Sequence, residues 1–396
     1  MNWAPIIPLV GGFPLGAEEA LNKKPEVVLS YSDFAFNDSC YMHYQNNIRK
    51  RDLELIQLDK NSYDISKLDM LVATCPCAGL SMLSRGSQEI KDNVNTWLYE
   101  TTKLALKSGI EILVGENAPN LFTTAGEKVE SFFRKIAKEF NYSLTFYQTN
   151  TLYHGIPQHR KRTFYIFWKK NETPILEWSR AERLSLKEYL ETTNTNAWGA
   201  DKTCKNSLSK DPFFKFAIFK FGSKENAYNT IAKNTRSALG YVRKFQLEDE
   251  FKSWADENGT TEDKRKVEYF FSKINDNKGV WDASVKCFTD VMQAVIGRNI
   301  GNGMHPSEFR PFTFREILHL MGFPDDFQIS DDFPISKFNK VMSQNVPVKT
   351  GKFIIEQVKL GYENKLNTSP LRFLKQNNHN TKIVEEHETS IETFLQ

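Results

Sequence analysis

Residues 69–81, DMLVATCPCAGLS, decide the fold, because a run of buried residue types leads directly into a loop that carries a cysteine. Residues 70–74 have the length and the apolar composition of a fully buried strand. The stiff Pro76 and the permissive Gly79 flank Cys77 and predict a loop at the carboxyl end of that strand. A thiol in this position is either a buried structural cysteine or a nucleophile facing a ligand crevice, and residues 69–81 alone leave both interpretations open.

Short apolar runs alternate with amphipathic stretches over the first 170 residues. Apolar residues at three- and four-residue spacing predict helices over 94–106 and 127–140. This alternation predicts a doubly wound, Rossmann-like α/β sheet with a mainly parallel core, in which ligands bind at the carboxyl ends of the strands. The predicted strands cover residues 6–10, 27–30, 70–74, 112–114, 144–148 and 163–168.

Two further motifs fall beside predicted strands. Glu116 and Asn117 follow the strand at 112–114, where a carboxylate is most often a helix cap. Arg160 and Arg162 precede the strand at 163–168 and, being two residues apart, share one face of an extended segment. Basic residues in such a place usually form a solvated surface patch. Each motif therefore has an ordinary structural explanation when it is considered alone.

The composition changes after about residue 170, where Lys, Asn, Phe and Tyr become frequent and the strand–helix alternation ends. We expect a catalytic core at 1–170, a smaller inserted domain at 171–307, C-terminal motifs returning to the core at 308–365 and a loosely ordered polar tail at 366–396. RPFTFREILHLMGFPDDF predicts a helix that Thr313 caps, with Glu316 completing a capping box and Gly322 ending it. A last helix is predicted over 350–360.

The bulk composition narrows the class of protein without identifying a partner. The 396 residues carry a formal charge of +3, and this sum neither indicates nor excludes nucleic acid. Five cysteines without regular spacing suit a reducing compartment, and none is paired at zinc-site spacing. No basic segment leads into a long apolar run, and no run reaches membrane-spanning length. We therefore expect a cytoplasmic protein with no metal site and no membrane association.

The order and content of the motifs resemble the cytosine-5 DNA methyltransferase family. The resemblance runs from about residue 6 to residue 360, except for about 171–300, where the family has its variable target-recognition domain. The matching motifs are Pro76-Cys77-Ala78, the ENV-like Glu116-Asn117-Ala118, the QxRxR residues Gln158, Arg160 and Arg162, the RPFTFREILHLMGFPDDF helix, and Asn345-Val346-Pro347. Residues 11–20, GGFPLGAEEA, resemble the cofactor loop of the family's first motif.

The resemblance implies a cofactor and a chemical mechanism. Cys77 would add to carbon 6 of cytosine and make carbon 5 nucleophilic enough to take a methyl group from S-adenosylmethionine. Glu116, when protonated, would stabilise ring nitrogen 3, and Arg162 would hold the carbonyl oxygen. Arg160 would steady a loop or a phosphate, and Asn117 would help to order the pocket. The cofactor-binding residues would be Gly11, Gly12, Phe13, Asp33, Asp59, Pro76 and Asn345.

The resemblance also implies partners. The target cytosine must be flipped out of the duplex to reach a pocket, so residues 171–307 are expected to hold double-stranded DNA and to recognise a specific sequence. We expect a monomer in the cytoplasm of a prokaryotic cell or its phage. A restriction–modification role, with a cognate restriction endonuclease as partner, is a hypothesis that the family habit suggests.

Two alternatives remain open from the sequence. An RNA cytosine-5 methyltransferase of the same fold, acting on transfer RNA, would show similar motifs. A catalytically inactive, DNA-binding family member is the other, because the family's first motif reads FxGxGG and this chain has Ile7 and Leu9 where the phenylalanine and the first glycine are expected. The retention of Cys77, Glu116 and Arg162 favours an active enzyme over the inactive one, and an inserted domain of well over a hundred residues favours DNA over transfer RNA as its substrate.

Overall fold

The computed structural model describes residues 1–75, 96–178, 180–204, 210–275, 284–331 and 333–377. The chain divides into two compact units. The sheet unit comprises Met1–Gly155, Lys161–Glu182 and the chain from Asn345 onward. The helical unit comprises Ile156–Arg160 and Arg183–Gln344, so in chain order it is inserted between segments of the sheet unit.

The described strands are β1 (Trp3–Ile6), β2 (Val28–Ser30), β3 (Leu55–Gln57), β4 (Met70–Ala73), β5 (Ile112–Asn117), β6 (Ser143–Asn150), β7 (Gln158–His159), β8 (Lys161–Trp168), β9 (Thr173–Pro174), β10 (Met292–Gln293), β11 (Thr368–Ser369) and β12 (Phe373–Asn377). An eight-stranded sheet in the order β12-β6-β8-β5-β4-β1-β2-β3 forms the centre of the sheet unit. β8 is antiparallel to both β5 and β6, and the other neighbouring pairs are parallel. The expected doubly wound α/β sheet is confirmed.

The described α-helices are α1 (Gly12–Leu21), α2 (Ala35–Met42), α3 (Thr96–Lys107), α4 (Glu127–Glu139), α5 (Leu186–Glu191), α6 (Pro212–Phe221), α7 (Lys224–Asn234), α8 (Ala238–Lys244), α9 (Glu248–Asn258), α10 (Thr261–Asn275), α11 (Gly297–Asn302), α12 (Phe314–Leu320), α13 (Ile335–Ser343) and α14 (Val348–Tyr362). The helices from α5 to α13 belong to the helical unit, and the others belong to the sheet unit. None of the described helices combines the length and the apolar composition that a membrane crossing requires.

Helices cover both faces of the sheet, as β4 illustrates. Met70 and Val72 are buried in an apolar cluster with residues of α1 and α14. Leu71 and Ala73, which point to the opposite face, are buried in a second cluster with residues of α3 and α4. Side chains alternate across a strand, so a strand covered on both faces needs apolar residues at every position. This requirement explains why residues 70–74 were recognisable as a central strand.

The predicted first strand, residues 6–10, is wrong in its position. The strand is Trp3–Ile6, and a loop follows it at once. Ile7 and Leu9 have φ angles of +56° and +54°, in the left-handed region where a strand cannot continue. The apolar composition of the loop resembles a strand because the loop is buried, with Ile7 at 0% and Leu9 at 4% exposure.

The expected domain boundaries also differ from the structure. Lys161–Glu182 belongs to the sheet unit, so the helical unit resumes at Arg183 and does not start at residue 171. Residues 308–344 group with the helical unit, and the chain rejoins the sheet unit only at Asn345. The segment expected to begin a loose polar tail instead contains β12, which pairs with β6 in parallel and buries Leu374 completely. Main-chain pairing to a sheet edge needs no continuous apolar run, which is why the composition gave no sign of this strand. Residues 378–396 lie outside the described part of the chain.

The capping box predicted for the late helix is present at the start of α12. The Thr313 side chain accepts a hydrogen bond from the Glu316 amide at 3.2 Å, and the Glu316 carboxylate accepts one from the Thr313 amide at 2.8 Å. Gly322, with φ +73°, follows the end of the helix. The start and the end of this helix therefore follow from local chemistry, as the sequence predicted.

Candidate active site

The parallel strands β3, β2, β1, β4 and β5 all end at one edge of the sheet, named here the carboxyl edge. β1 lies between β2 and β4, so the strand order reverses there, which is the arrangement that opens a ligand crevice in doubly wound sheets. β8 runs antiparallel to β5 and therefore begins at the same edge. The residues that follow five strands and precede a sixth are thus brought to one side of the sheet unit.

A buried ion pair joins the end of β5 to the start of β8. The register that pairs Asn117 with Thr163 places Glu116 beside Arg162, and the Arg162 Nε lies 2.7 Å from the Glu116 Oε1. The side chain of Glu116 is 4% exposed and that of Arg162 is 13% exposed. A charged pair with this little exposure is weakly screened by water, and removing either partner would leave an uncompensated buried charge. The structure thus brings together two of the expected catalytic residues.

Two buried polar atoms at the carboxyl edge have no hydrogen-bond partner among the described residues. Asn117 is fully buried and its Oδ1 accepts a hydrogen bond from the Ala118 amide at 2.8 Å, while its Nδ2 has no such partner. The hydroxyl of Thr74, directly after β4, is also buried and has no hydrogen-bond partner among the described residues. Buried polar groups are normally satisfied, so both atoms are suited to a ligand or to residues outside the described part of the chain.

Arg160 has a different environment from Arg162. It is 1% exposed, and its guanidinium donates hydrogen bonds to the carbonyl oxygens of Val295 at 2.8 Å and Ser343 at 2.9 Å, all within the helical unit. Gln158 acts similarly, donating to the Leu320 carbonyl at 2.9 Å and accepting from the Val295 amide at 3.0 Å. The two arginines, which the spacing predicts on one face, therefore bind different partners. Burial of Arg160 favours a loop-steadying role over contact with a phosphate.

The loop after β1, residues 7–11, adopts a conformation that normally requires glycine. Ile7, Leu9 and Gly11 all have positive φ angles, the last at +105°. A Cβ atom on Gly11 would lie 2.3 Å from the Tyr41 ring, so only glycine fits beneath that ring. At Leu9 the backbone keeps a left-handed conformation although the residue carries a side chain, which is unfavourable for any L-residue other than Asn or Asp.

Gly12, Phe13 and Asn345, all expected at the cofactor, make intramolecular contacts. The Gly12 amide donates to the Asn345 Oδ1 at 2.8 Å, and a Cβ atom on Gly12 would lie 2.0 Å from the Val346 carbonyl oxygen. Phe13 is 1% exposed and its ring packs edge-to-face on Phe164, with centroids 5.4 Å apart. The Phe13 side chain therefore belongs to the core. Asn345 holds the first turn of α1 against the segment that leads into α14.

The acidic residues expected at the cofactor lie after β2 and β3. Asp33 is exposed in a short 3₁₀-helical turn, Ser32–Phe34. Asp59 is also exposed, and it accepts hydrogen bonds from both the amide of Ser32, at 2.9 Å, and the Ser32 hydroxyl. These bonds keep the pKa of Asp59 below its usual value. The two strand ends are thereby tied together, with carboxylates available on the surface of the carboxyl edge.

Cys77 and Pro76, the centre of the expected nucleophile loop, lie outside the described residues. The four described cysteines are unsuited to forming a thiolate. Burial raises the pKa of Cys75 to about 11 and that of Cys40 to about 12, and it raises the pKa values of Cys204 and Cys287 well above normal. Because the thiolate is the reactive form, none of these four thiols has the environment of a nucleophile.

Sequence reasoning missed residues of α2 that contact the loop after β1. Asp38 is fully buried, and its carboxyl group accepts hydrogen bonds from the Leu9 amide, at 2.9 Å, and from the Ser30 hydroxyl. Tyr41 lies one turn later and covers Gly11. No local pattern in the sequence distinguishes these two side chains from others on an amphipathic helix. A tertiary contact between residues 29 positions apart gives them their role.

The described residues include one cluster of metal-ligating residue types, in the helical unit, formed by His305, Glu308 and Glu316. Arg310 lies between the two glutamates, with nitrogen–oxygen distances of 2.6–3.0 Å to both carboxylates. His305 Nδ1 accepts hydrogen bonds from the Ser307 and Glu308 amides. The arginine thus balances the acidic charge of the cluster, which holds the segment before α12 in place.

The chain matches the family model described as C-5 cytosine-specific DNA methylase over residues 6–360. No curated protein matches it at a significant level. It is similar to a solved protein described as a DNA modification methyltransferase encoded within an E. coli prophage, with 15% identity and a TM-score of 0.54 over 91% of this chain and 98% of that chain. It is similar to a mutant of Spodoptera frugiperda DNMT2, with 14% identity and a TM-score of 0.51 over 91% and 100%. It is also similar to the Entamoeba histolytica methyltransferase EhMeth, with 11% identity and a TM-score of 0.55 over 93% and 99%.

At these identities the solved structures establish a shared fold and nothing finer. The family match extends from the end of β1 into α14, and so includes all the motifs considered above. The resemblance inferred from those motifs is confirmed: the chain belongs to the C-5 cytosine-specific DNA methylase family.

Proposed function

We propose that the protein transfers a methyl group from S-adenosylmethionine to carbon 5 of a cytosine flipped out of a specific DNA sequence, with Cys77 as the nucleophile. The observation that carries this proposal is the buried pair of Glu116 and Arg162, with an Nε–Oε1 distance of 2.7 Å. The pair joins the end of β5 to the start of β8, and β5 lies next to β4, which precedes Cys77 in the sequence. A carboxyl group and a guanidinium are the groups that polarisation of a cytosine ring requires.

The proposed chemistry assigns one task to each residue. The Cys77 thiolate adds to carbon 6 of the base, and electron density moves onto nitrogen 3 and the carbonyl oxygen. Glu116 donates a proton or a hydrogen bond to nitrogen 3, while Arg162 stabilises the carbonyl oxygen and orients Glu116. Asn117 orders the strand end beside them. Loss of the proton from carbon 5 then allows the thiol to leave, which restores the aromatic ring.

The described residues support Cys77 indirectly. Each of the other four cysteines has a raised pKa because it is buried, and a thiol of that kind is a poor nucleophile at neutral pH. The residues of the carboxyl edge also provide the chemistry that S-adenosylmethionine needs. Asp33 and Asp59 are exposed carboxylates for its hydroxyl and amino groups, and Thr74 has a buried hydroxyl without a partner among the described residues. When bound, this cofactor supplies the methyl group.

The helical unit is the proposed DNA-binding part. In the segment DPFFKFAIFKFGSK, the aromatic side chains of Phe214 and Phe216 are buried in the core, whereas Phe219 is 61% exposed. Part of the aromatic content of this segment therefore belongs to the protein core and is not available to contact nucleic acid. Lys215 and Lys220 in that segment form ion pairs with Asp263 and Glu250. Further along the helical unit, Arg236, Arg243 and Lys244 are exposed and available to phosphates.

The test is methyl transfer from labelled S-adenosylmethionine to cytosine-containing duplex DNA, followed by digestion and identification of the labelled nucleoside. We expect 5-methylcytosine with the unmodified protein, none with Cys77→Ser, and a rate lower by roughly a hundredfold or more with Glu116→Gln. Cys204→Ser is the matched control, because a serine hydroxyl can replace the thiol that faces the Thr313 carbonyl at 3.6 Å.

The outcomes separate the alternatives. Label in transfer RNA but not in DNA would replace the proposed substrate with RNA. No transfer to either, with S-adenosylmethionine bound, would favour an inactive DNA-binding protein. Protection of methylated DNA from an endonuclease that cuts only the unmethylated site would support a restriction–modification role, and absence of any protection would contradict it.

A further inference from the structure

The loop after β1 contains a residue, Leu9, whose backbone conformation is unfavourable for its type. Leu9 has a φ angle of +54°, and its side chain is 4% exposed within the apolar cluster beneath α3 and α4. A leucine disfavours this backbone conformation, whereas a glycine adopts it freely. Such strain persists only where surrounding contacts enforce it, so some group must hold the Leu9 backbone.

Asp38 makes the contact that meets this requirement. Its Oδ1 accepts the Leu9 amide hydrogen at 2.9 Å, in a site where both residues are buried. The Ser30 hydroxyl, at the end of β2, donates to the other carboxyl oxygen and so fixes the carboxyl plane. If Leu9 left the left-handed region, its buried amide would lose this acceptor, and a buried amide without an acceptor is unfavourable.

The carboxyl group of Asp38 has no cationic partner in the described part of the chain. No lysine, arginine or histidine of those residues forms an ion pair with Asp38, and its exposed fraction is 0%. Burial accordingly raises the pKa of Asp38 to about 7. A group kept in so unfavourable a place for a carboxylate is consistent with a specific positional task.

We infer that Asp38 is a positioning residue for the cofactor loop, and that its hydrogen bond to the Leu9 amide compensates for the leucine where the family's first motif has a glycine. This inference rests on the proposed function, in which the loop binds S-adenosylmethionine. Asp38 does not contact the cofactor in this scheme. It acts through Leu9, which sets the path of the backbone between β1 and α1.

The experiment compares four variants with the unmodified protein by calorimetric titration with S-adenosylmethionine and by amide hydrogen exchange without it. The variants are Asp38→Ala, Asp38→Asn, Leu9→Gly and the combination of Asp38→Ala with Leu9→Gly. Asp38→Ala removes the acceptor, and we expect affinity to fall by about tenfold or more, with loss of protection at the Leu9 amide. Asp38→Asn keeps an acceptor for Leu9, so affinity stays within about threefold. Turnover at saturating cofactor is expected to change little in both, so that the effect lies in the KM for S-adenosylmethionine.

The decisive arm combines Asp38→Ala with Leu9→Gly. Because glycine needs no help in the left-handed region, the double variant should bind within about threefold of Leu9→Gly alone, although the single Asp38→Ala variant binds poorly. If Asp38→Ala does not fold, Asp38→Asn still tests the inference, since it keeps an acceptor for the Leu9 amide. Loss of protection at that amide in Asp38→Asn without any change in affinity for S-adenosylmethionine would overturn the inference.

The arms also separate this inference from the proposed function. If the unmodified protein does not bind S-adenosylmethionine, the proposed function fails and the inference fails with it. If it binds the cofactor and Asp38→Ala binds equally well, only the inference is overturned. If Asp38→Ala lowers affinity by the same factor with leucine and with glycine at position 9, the inference is also overturned, because Asp38 would then act independently of the loop backbone.

Discussion

Two buried carboxyl groups of the sheet unit differ in what surrounds them. Glu116 has the Arg162 guanidinium at 2.7 Å, whereas the described contacts of the Asp38 carboxyl are the Leu9 amide and the Ser30 hydroxyl. Burial without a nearby cation favours the neutral form of a carboxyl group. The pKa of Asp38 is accordingly raised to about 7 by burial. Glu116 therefore interacts with a cation, whereas Asp38 accepts hydrogen bonds from neutral groups and fixes their positions.

The raised pKa of Asp38 predicts a specific dependence of stability on pH. The folded pKa of about 7 lies above the ordinary value of 3.8, so between these values the unfolded chain ionises while the folded chain keeps its proton. The contribution of Asp38 to stability is therefore complete below about pH 4 and is lost as the pH rises towards 7, by up to about 4 kcal/mol. Urea unfolding of the unmodified protein and Asp38→Asn at pH 4.5 and pH 7.5 measures it. Parallel behaviour of the two proteins would contradict this prediction.

At the scale of elements, the contact between α1 and α14 depends on small residues. A Cβ atom on Gly16 would lie 2.5 Å from the Val348 carbonyl oxygen and 2.5 Å from the Lys352 amide nitrogen. A Cβ atom on Gly351, from the opposite helix, would lie 2.9 Å from the Phe13 ring. The two backbones therefore approach too closely for side chains at these positions. This close packing fixes the N-terminal end of α1, and with it the loop that precedes it.

We predict that Gly16→Ala destabilises the protein by about 3 kcal/mol, because the added methyl group meets backbone atoms, which cannot rotate away. Gly301→Ala, in α11, is the matched control, since its Cβ would meet only the Asn339 side chain, at 3.4 Å. The control should change stability by less than about 1 kcal/mol. Urea denaturation of both variants provides the comparison, and equal stability of Gly16→Ala and the unmodified protein would show that the helices separate easily.

At the scale of the whole molecule, the helical unit has apolar residues in its core and several basic residues on its surface. Its core contains two apolar clusters, one around Tyr228 and one around Phe251. Arg236, Arg243 and Lys244 remain exposed near the end of α7 and in α8, where Lys244 donates to the Asn234 carbonyl at 3.2 Å. This contact holds the ends of the two helices together. An exposed group of cations on a rigid support is suited to phosphate binding.

We predict that replacing Arg236, Arg243 and Lys244 with alanine weakens DNA binding and makes it less dependent on salt. Each lost phosphate contact should lower the slope of log affinity against log salt concentration by about 0.9. Fluorescence anisotropy with labelled duplex DNA at several salt concentrations measures the slope. Lys135→Ala, on an exposed position of α4 in the sheet unit, is the control and should leave the slope unchanged. An unchanged slope in the triple variant would remove these residues from the DNA-binding surface.

Local chemistry allowed much of this molecule to be predicted. β4 was recognisable because a strand covered on both faces is apolar throughout, and α12 because its capping box involves residues three apart. β3 and β12 were not predicted, since short or partly exposed strands have no distinct pattern. Residues 6–10 have the composition of a strand but form mostly a loop, because a buried loop is as apolar as a buried strand.

The sequence by itself determined the family and the doubly wound sheet, because these follow from residue order and local periodicity. Only the tertiary structure decided that Arg162 contacts Glu116 while Arg160 is bound to Val295 and Ser343. It also decided that Asp38 holds the Leu9 amide. These contacts join residues far apart in the chain. The sequence around a hydrogen-bonding side chain does not identify the distant partner that it meets in the folded protein.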